Sequence, residues 1–189
     1  MNSNNEVKLD IPTRVLHIGV AVLGTWAWWI GEDAGDYDKP IHPNFILHEY
    51  VGLAFAAVLA LRLAYGFFGP KPLRFGAWVP YTRERFAAVK EDVRTLLRFK
   101  LPEPQVHHGL NAAVQSLGLL LFTWQAVSGT VLSLTLTPGE RAHGWLHDFK
   151  EVHQWASVWI PTYLGLHVGA TVLHAFRKQH IWKKMIFME

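Results

Sequence analysis

EVHQWASVWIPTYLGLHVGATVLH, residues 151–174, decides how the rest of the chain is read. A helix needs about 20 mostly apolar residues to span the hydrocarbon of a bilayer, and this stretch meets that length. Yet it carries His153, His167 and His174. An ionisable side chain inside a membrane segment is expensive, which makes it a functional-site candidate by default.

Three more blocks of similar length and character precede it. They are VLHIGVAVLGTWAWWIG (15–31), NFILHEYVGLAFAAVLALRLAYGFFG (44–69) and GLNAAVQSLGLLLFTWQAVSGTVLSLTL (109–136). Pro70 and Pro72 close the second, and Pro138 and Gly139 follow the third. None alternates every second residue as a barrel strand does, so each reads as a helix. The expected fold is therefore all-α: an integral membrane four-helix bundle in one domain, 1–189. Its helices should cover about 14–31, 44–69, 109–136 and 149–176.

Half of the residues are hydrophobic, there is no cysteine, and the net charge is +3. The missing thiols exclude disulfides, thiolate metal sites and covalently attached c-type haem. A basic balance can mean a nucleic-acid partner, but here Lys and Arg flank apolar blocks, which is the pattern of membrane topology. The N-terminal tail, the long middle connection and the C-terminal tail hold 14 of these residues, against 3 in the other two connections. That split puts both termini and the middle connection in the cytoplasm, with the acidic EDAGDYDK (32–39) on the other side. MNSNNEVKLDIPTR (1–14) lacks a basic n-region and a cleavage site, so the first block is expected to be retained.

Within the middle connection, YTRERFAAVKEDVRTLLRFK (81–100) repeats apolar residues at helical spacing beside a basic face. It reads as an amphipathic cytoplasmic helix, either lying on the anionic inner leaflet or capping the bundle.

The depth of each histidine is informative. At 1.5 Å per residue, His153 and His48 lie roughly 12–13 Å above the middle of their spans, and His167 and His17 roughly 7–9 Å below. Two pairs at two matching depths result, drawn from three helices. His153 and His167 are fourteen residues apart, within about 40° of whole turns, and so project from one face. Two histidines per site suit the two axial positions of a haem, whereas zinc or non-haem iron would want further ligands. With both axial positions filled, electron transfer is favoured over oxygen activation. His174 shares the same face but falls roughly 18 Å below centre, at the interface; it is the competing candidate for the lower site, or else bonds headgroups or a propionate. Arg62, fourteen residues after His48, either neutralises a haem propionate or snorkels to the cytoplasmic surface. Gly52 follows His48 by one turn, where a missing side chain would let a flat macrocycle approach. Gly118, Gly129, Gly165 and Gly169 either do likewise or allow close helix packing.

These residues resemble the bacterial cytochrome b561 and nickel-hydrogenase cytochrome b family. The resemblance rests on DIPTRVLH (10–17), LHEYVG (47–52), LRLAYGFFGPKPLRF (61–75), the fourth-block stretch quoted first, and WKKM (182–185). It implies a four-helix membrane bundle with two haem b groups, ligated by His17, His48, His153 and His167. It further implies a multi-pass protein of the bacterial inner membrane that passes electrons between a periplasmic partner and membrane quinone. That partner would be a hydrogenase, another dehydrogenase or a c-type cytochrome. VHHGLN (106–111) departs from the family's start to the third helix, and no role is carried onto His108. Two rival functions fit the residues less well. A superoxide:quinone oxidoreductase would want a basic outward face, where this chain has an acidic connection. A histidine-based metal or proton transporter would want carboxylates within the spans.

Overall fold

Inside hydrocarbon every backbone N–H and C=O must find its partner within the protein, and a helix does this residue by residue. The computed structural model of the chain describes residues 9–34, 43–102, 107–137 and 141–177, with Lys183 and Met185. Among them there is no strand. The helices are α1 (Ile11–Asp33), α2 (Pro43–Phe68), α3 (Phe75–Trp78), α4 (Arg83–Leu97), α5 (Gly109–Thr135), α6 (Trp145–Ser157) and α7 (Trp159–Phe176), with a 3-10 turn at Lys71–Leu73. Most of EDAGDYDK, the N-terminal MNSNNEVK and half of WKKM lie outside the described residues.

The apolar blocks and the helices agree to within a few residues, with one difference. The fourth block begins earlier, at Trp145, and is broken at Val158 into α6 and α7. Pro161 explains the break: it offers no N–H to the carbonyl of Ser157, and its ring crowds that carbonyl. Val158 keeps near-helical angles, φ −59° and ψ −25°, so the chain runs on as α7. Three stretches, Pro43–Phe68, Gly109–Thr135 and Trp145–Phe176, are long and apolar enough to cross a membrane. α1 has spanning length at 23 residues, but Trp26, Trp28, Trp29 and His17 hold its hydropathy down. Only 22% of the α2 window, 33% of the α5 window and 11% of the α6–α7 window is buried. The surface left over is apolar, with Val22, Leu61, Leu120, Val127, Leu134 and Leu166 all more than half exposed. Such a surface is at home in lipid and costly in water.

The chain divides into two compact units. One comprises Met1–Arg14, Leu63–Leu119 and Leu164–Glu189; the other comprises Val15–Arg62 and Leu120–Tyr163. In the first unit, the Asp10 carboxylate caps α1, accepting from the Thr13 backbone N–H at 3.0 Å and from the Tyr65 hydroxyl. Phe75 lies against Gly66 so closely that a Cβ there would be 2.1 Å from its ring. From Phe75 the packing passes to Trp78 and then to His107, stacked on Trp78 at 4.7 Å with planes 13° apart. α4 is tied to α5 through Asp92, whose Oδ2 accepts the Leu110 N–H at 2.7 Å and satisfies one orphan donor of that helix start. Gly109 has φ +53° and a Cβ there would fall 1.9 Å from Asp92 Oδ2, so both its angle and the space require glycine. Asp92 thus joins this amphipathic helix to the start of α5.

The second unit packs segments of α1, α2, α5, α6 and α7 around a shared interior. Ala27, Ile30 and Val51 form a buried cluster between α1 and α2. Phe55 of α2 meets Phe122 of α5 edge to face at 5.7 Å, and Phe122 meets Tyr163 of α7 in the same manner at 5.7 Å. Above these aromatics the interior opens into a cavity.

Candidate haem site

The cavity has a volume of about 310 Å³. His48 of α2 and His153 of α6 line it together with Gly52, Trp28, Glu49 and Gln125. The two imidazole ring centres are 6.4 Å apart and their planes are inclined at 72°. A metal–nitrogen bond of about 2.0–2.1 Å, plus roughly 1.1 Å from nitrogen to ring centre, gives about 6.3 Å when taken on both sides of one metal. The observed separation is compatible with two imidazoles that share one metal.

Hydrogen bonds orient both rings through Nδ1, and for His48 the partner also fixes the tautomer. His48 Nδ1 lies 2.8 Å from the carbonyl of Ala27. A carbonyl only accepts, so Nδ1 carries the proton and Nε2 keeps its lone pair. His153 Nδ1 lies 2.7 Å from Ser128 Oγ, which in turn is 2.6 Å from the carbonyl of Trp124. With its one proton donated to that carbonyl, the hydroxyl accepts from His153 Nδ1–H. Ser128 is fully buried, so this arrangement has no competing water. Both rings are thus oriented by a bond at Nδ1, the arrangement that leaves Nε2 as the nitrogen that could hold a metal.

Two glycines make room for the rings. A Cβ at Gly31 would stand 2.9 Å from His48 Cε1, and one at Gly129 would stand 3.3 Å from His153 Cε1. At Gly52 the situation is reversed: a Cβ there would meet nothing within 4 Å, because the position opens on the cavity. Gln125 Nε2 donates to the backbone carbonyl of His153 at 3.2 Å and steadies α6 against α5. The donor set fits a haem with two histidine axial ligands: two neutral imidazoles, preset through their far nitrogens, beside a glycine-bordered space.

The remaining site residues fall elsewhere. His17 belongs to the second unit and His167 to the first, and both are half-buried and have interaction partners. Arg62 is buried in α2 and likewise engaged. His174 is half-buried and engaged, whereas His108 is exposed. Sequence reading missed Ser128, Gly31 and Glu49. It placed no carboxylate near the histidines, yet Glu49 lines the cavity and accepts from the Ser133 hydroxyl at 2.6 Å. The sequence does hold one signal, since Glu49 adjoins His48, but polarity alone did not tell which side of α2 it would take. Among the described residues no group of three or more His, Cys, Asp or Glu is arranged to hold a metal ion, so Glu49 does not turn the pair into a zinc site.

The family model of prokaryotic cytochrome b561 matches residues 8–188. Neither the curated proteins nor the solved structures returned a match. With the family model covering nearly the whole chain, the protein belongs to the prokaryotic cytochrome b561 family, membrane cytochromes b that bind haem and transfer electrons.

Proposed function

We propose that the chain is a di-haem cytochrome b of the bacterial inner membrane that carries electrons between a periplasmic redox protein and the quinone pool. The periplasmic partner is a hydrogenase, another dehydrogenase or a c-type cytochrome. His48 and His153 hold one haem. His17 and His167 hold the other, which accounts for the fourteen-residue spacing of His153 and His167 and for their matching depths with residues of α2 and α1. The observation that carries this reading is the pair of imidazoles 6.4 Å apart, each with its Nδ1 engaged in a hydrogen bond.

Haem supplies a one-electron couple when bound. Everything else is done by the chain. His48 and His153 would hold that haem between two protein ligands, a donor set that favours electron transfer over oxygen chemistry. Ser128 and the Ala27 carbonyl hold the rings in orientation before and after the electron arrives, which keeps structural rearrangement small. Phe55 and Phe122 wall the cavity with aromatic surface. Arg62, buried in the membrane span, would offer its guanidinium to a propionate of a bound haem. The excess of Lys and Arg in the termini and the middle connection sets both on the cytoplasmic side. Electrons then pass between the side of His48 and His153 and quinone nearer the cytoplasm, in either direction.

The purified protein tests the reading directly. A reduced-minus-oxidised b-type spectrum with two haems per chain is the expected result. A colourless preparation from haem-replete cells contradicts it.

A further inference from the structure

We propose that α4 is an interfacial anchor, with one stripe of side chains in the acyl layer and the neighbouring stripe on the headgroups of anionic phospholipid. No residue of α4 is fully buried, yet its faces are sharply sorted. Arg85, Ala88, Val89, Asp92 and Thr95 are half-buried and recur at three- and four-residue steps, so they form the side that packs on the protein. That side is pinned at both ends. Arg85 Nη1 donates to the carbonyls of Gly76 and Val79 at 3.0 Å each, and Asp92 accepts from Leu110.

Next to it runs an apolar stripe. Phe86, Val93 and Leu97 stand seven and four residues apart, within about 20° of one line along the helix. Phe86 is 63% exposed and Leu97 75%, and Phe99, just past the helix end, is 96% exposed. Beyond the apolar stripe, on the side away from the protein, come Arg83, Lys90, Arg94 and Arg98, all exposed. Glu84 and Glu91 follow, farthest from the apolar stripe among these charges. Around the helix the order is protein, apolar, basic, acidic.

That order is the one a helix needs at the surface of an anionic bilayer: apolar groups below the headgroups, cations level with the phosphates, carboxylates toward water. Two observations favour lipid over a protein partner. The basic stripe adjoins the apolar one along its full length, which matches a uniformly anionic plane rather than a local patch. Phe67 and Phe68, at the end of α2 in the same unit, are also exposed, and the protein spans a membrane, so a bilayer surface is already adjacent to this unit.

The absence of cysteine makes the test direct. Spin labels are placed on the full chain through Leu97→Cys or Glu91→Cys, in phosphatidylcholine vesicles with and without phosphatidylglycerol. The expected result is high oxygen and low aqueous-relaxant accessibility at position 97, and the reverse at position 91. Equal water exposure at both positions overturns the proposal. Low accessibility to both reagents at position 97 also overturns it, because it marks burial against protein, whether a second copy or a partner. A second measurement reads the charge. The preference of the protein for spin-labelled phosphatidylglycerol over phosphatidylcholine should fall by about threefold or more in R83Q/K90Q/R94Q/R98Q. Helicity and melting temperature control for folding, and an unchanged preference in a folded variant overturns the headgroup assignment. None of these readouts involves haem, so the outcome is independent of the proposed redox function.

Discussion

The imidazoles of His48 and His153 face one cavity from two helices, 6.4 Å apart and inclined at 72°. The distance suits a shared metal, and the inclination has its own consequence. Axial imidazole planes near perpendicular leave two iron d orbitals close in energy. The ferric protein should therefore give a highly anisotropic low-spin electron paramagnetic resonance signal for this haem. A rhombic signal of the type given by parallel rings, assigned to this site by its absence in His153→Ala, would show that the rings rotate on binding.

Ser128 is expected to tune the same haem. Its oxygen accepts from His153 Nδ1–H and so raises the electron-donating power of the ring. Ser128→Ala removes that acceptor and leaves a buried N–H without its partner, at a cost of about 1–3 kcal/mol. The midpoint potential of one haem should rise while that of the other stays, and haem affinity should fall by about 10–100-fold. A redox titration with equilibrium haem binding checks both.

Gly31 and Gly52 should respond to substitution in different ways. Gly31→Ala places a carbon 2.9 Å from a His48 ring held by Ala27, so the ligand itself must move. Gly52→Leu meets no protein atom within 4 Å of its Cβ. It should leave the melting of haem-free protein unchanged and still lower the haem content. Full haem content in Gly52→Leu would place the macrocycle elsewhere.

Asp92 joins α4 to the start of α5, and Asp92→Ala should lower stability by about 1 kcal/mol, the cost of a lost helix cap. Limited proteolysis should then cut within 83–97 faster than in the parent protein. Unchanged cleavage would mean that other contacts hold α4.

Asp10 should make the stability of the first unit depend on pH in the acid range. Burial pushes its carboxyl up, but the hydrogen bonds from Thr13 and Tyr65 outweigh burial and leave the pKa below its ordinary 3.8. A depressed carboxyl contributes stability that is present in full above the unfolded value and is lost as pH falls through the folded one. The stability difference between the protein and Tyr65→Phe should accordingly be constant near neutral pH and shrink in acid. Thermal melts across that range measure it.

How much of this is legible in the sequence follows from which quantities helix geometry fixes. Rise per residue is constant, so residue numbers alone give His48 and His153 a common depth, and their meeting in one cavity agrees with it. Rotation of one helix against another depends on packing, which a single sequence does not display. Ser128, Gly31 and Glu49 owe their positions to that rotation and were therefore missed. The break at Val158 is legible in principle, because Pro161 stands four residues after Ser157; the apolar run conceals it. The charge pattern of α4 is plain in the sequence, but its attachment through Asp92 joins residues eighteen apart and needs the fold.

The central claim is that four histidines form two ligand pairs, His48 with His153 and His17 with His167. Redox difference spectra and haem-to-protein ratios of the four single histidine-to-alanine variants, with His174→Ala as a fifth, test it most directly. His48→Ala and His153→Ala should lose the same haem, His17→Ala and His167→Ala the other, and His174→Ala neither. If His48→Ala and His153→Ala abolished different spectral components, or if His174→Ala matched His17→Ala, the pairing would be contradicted.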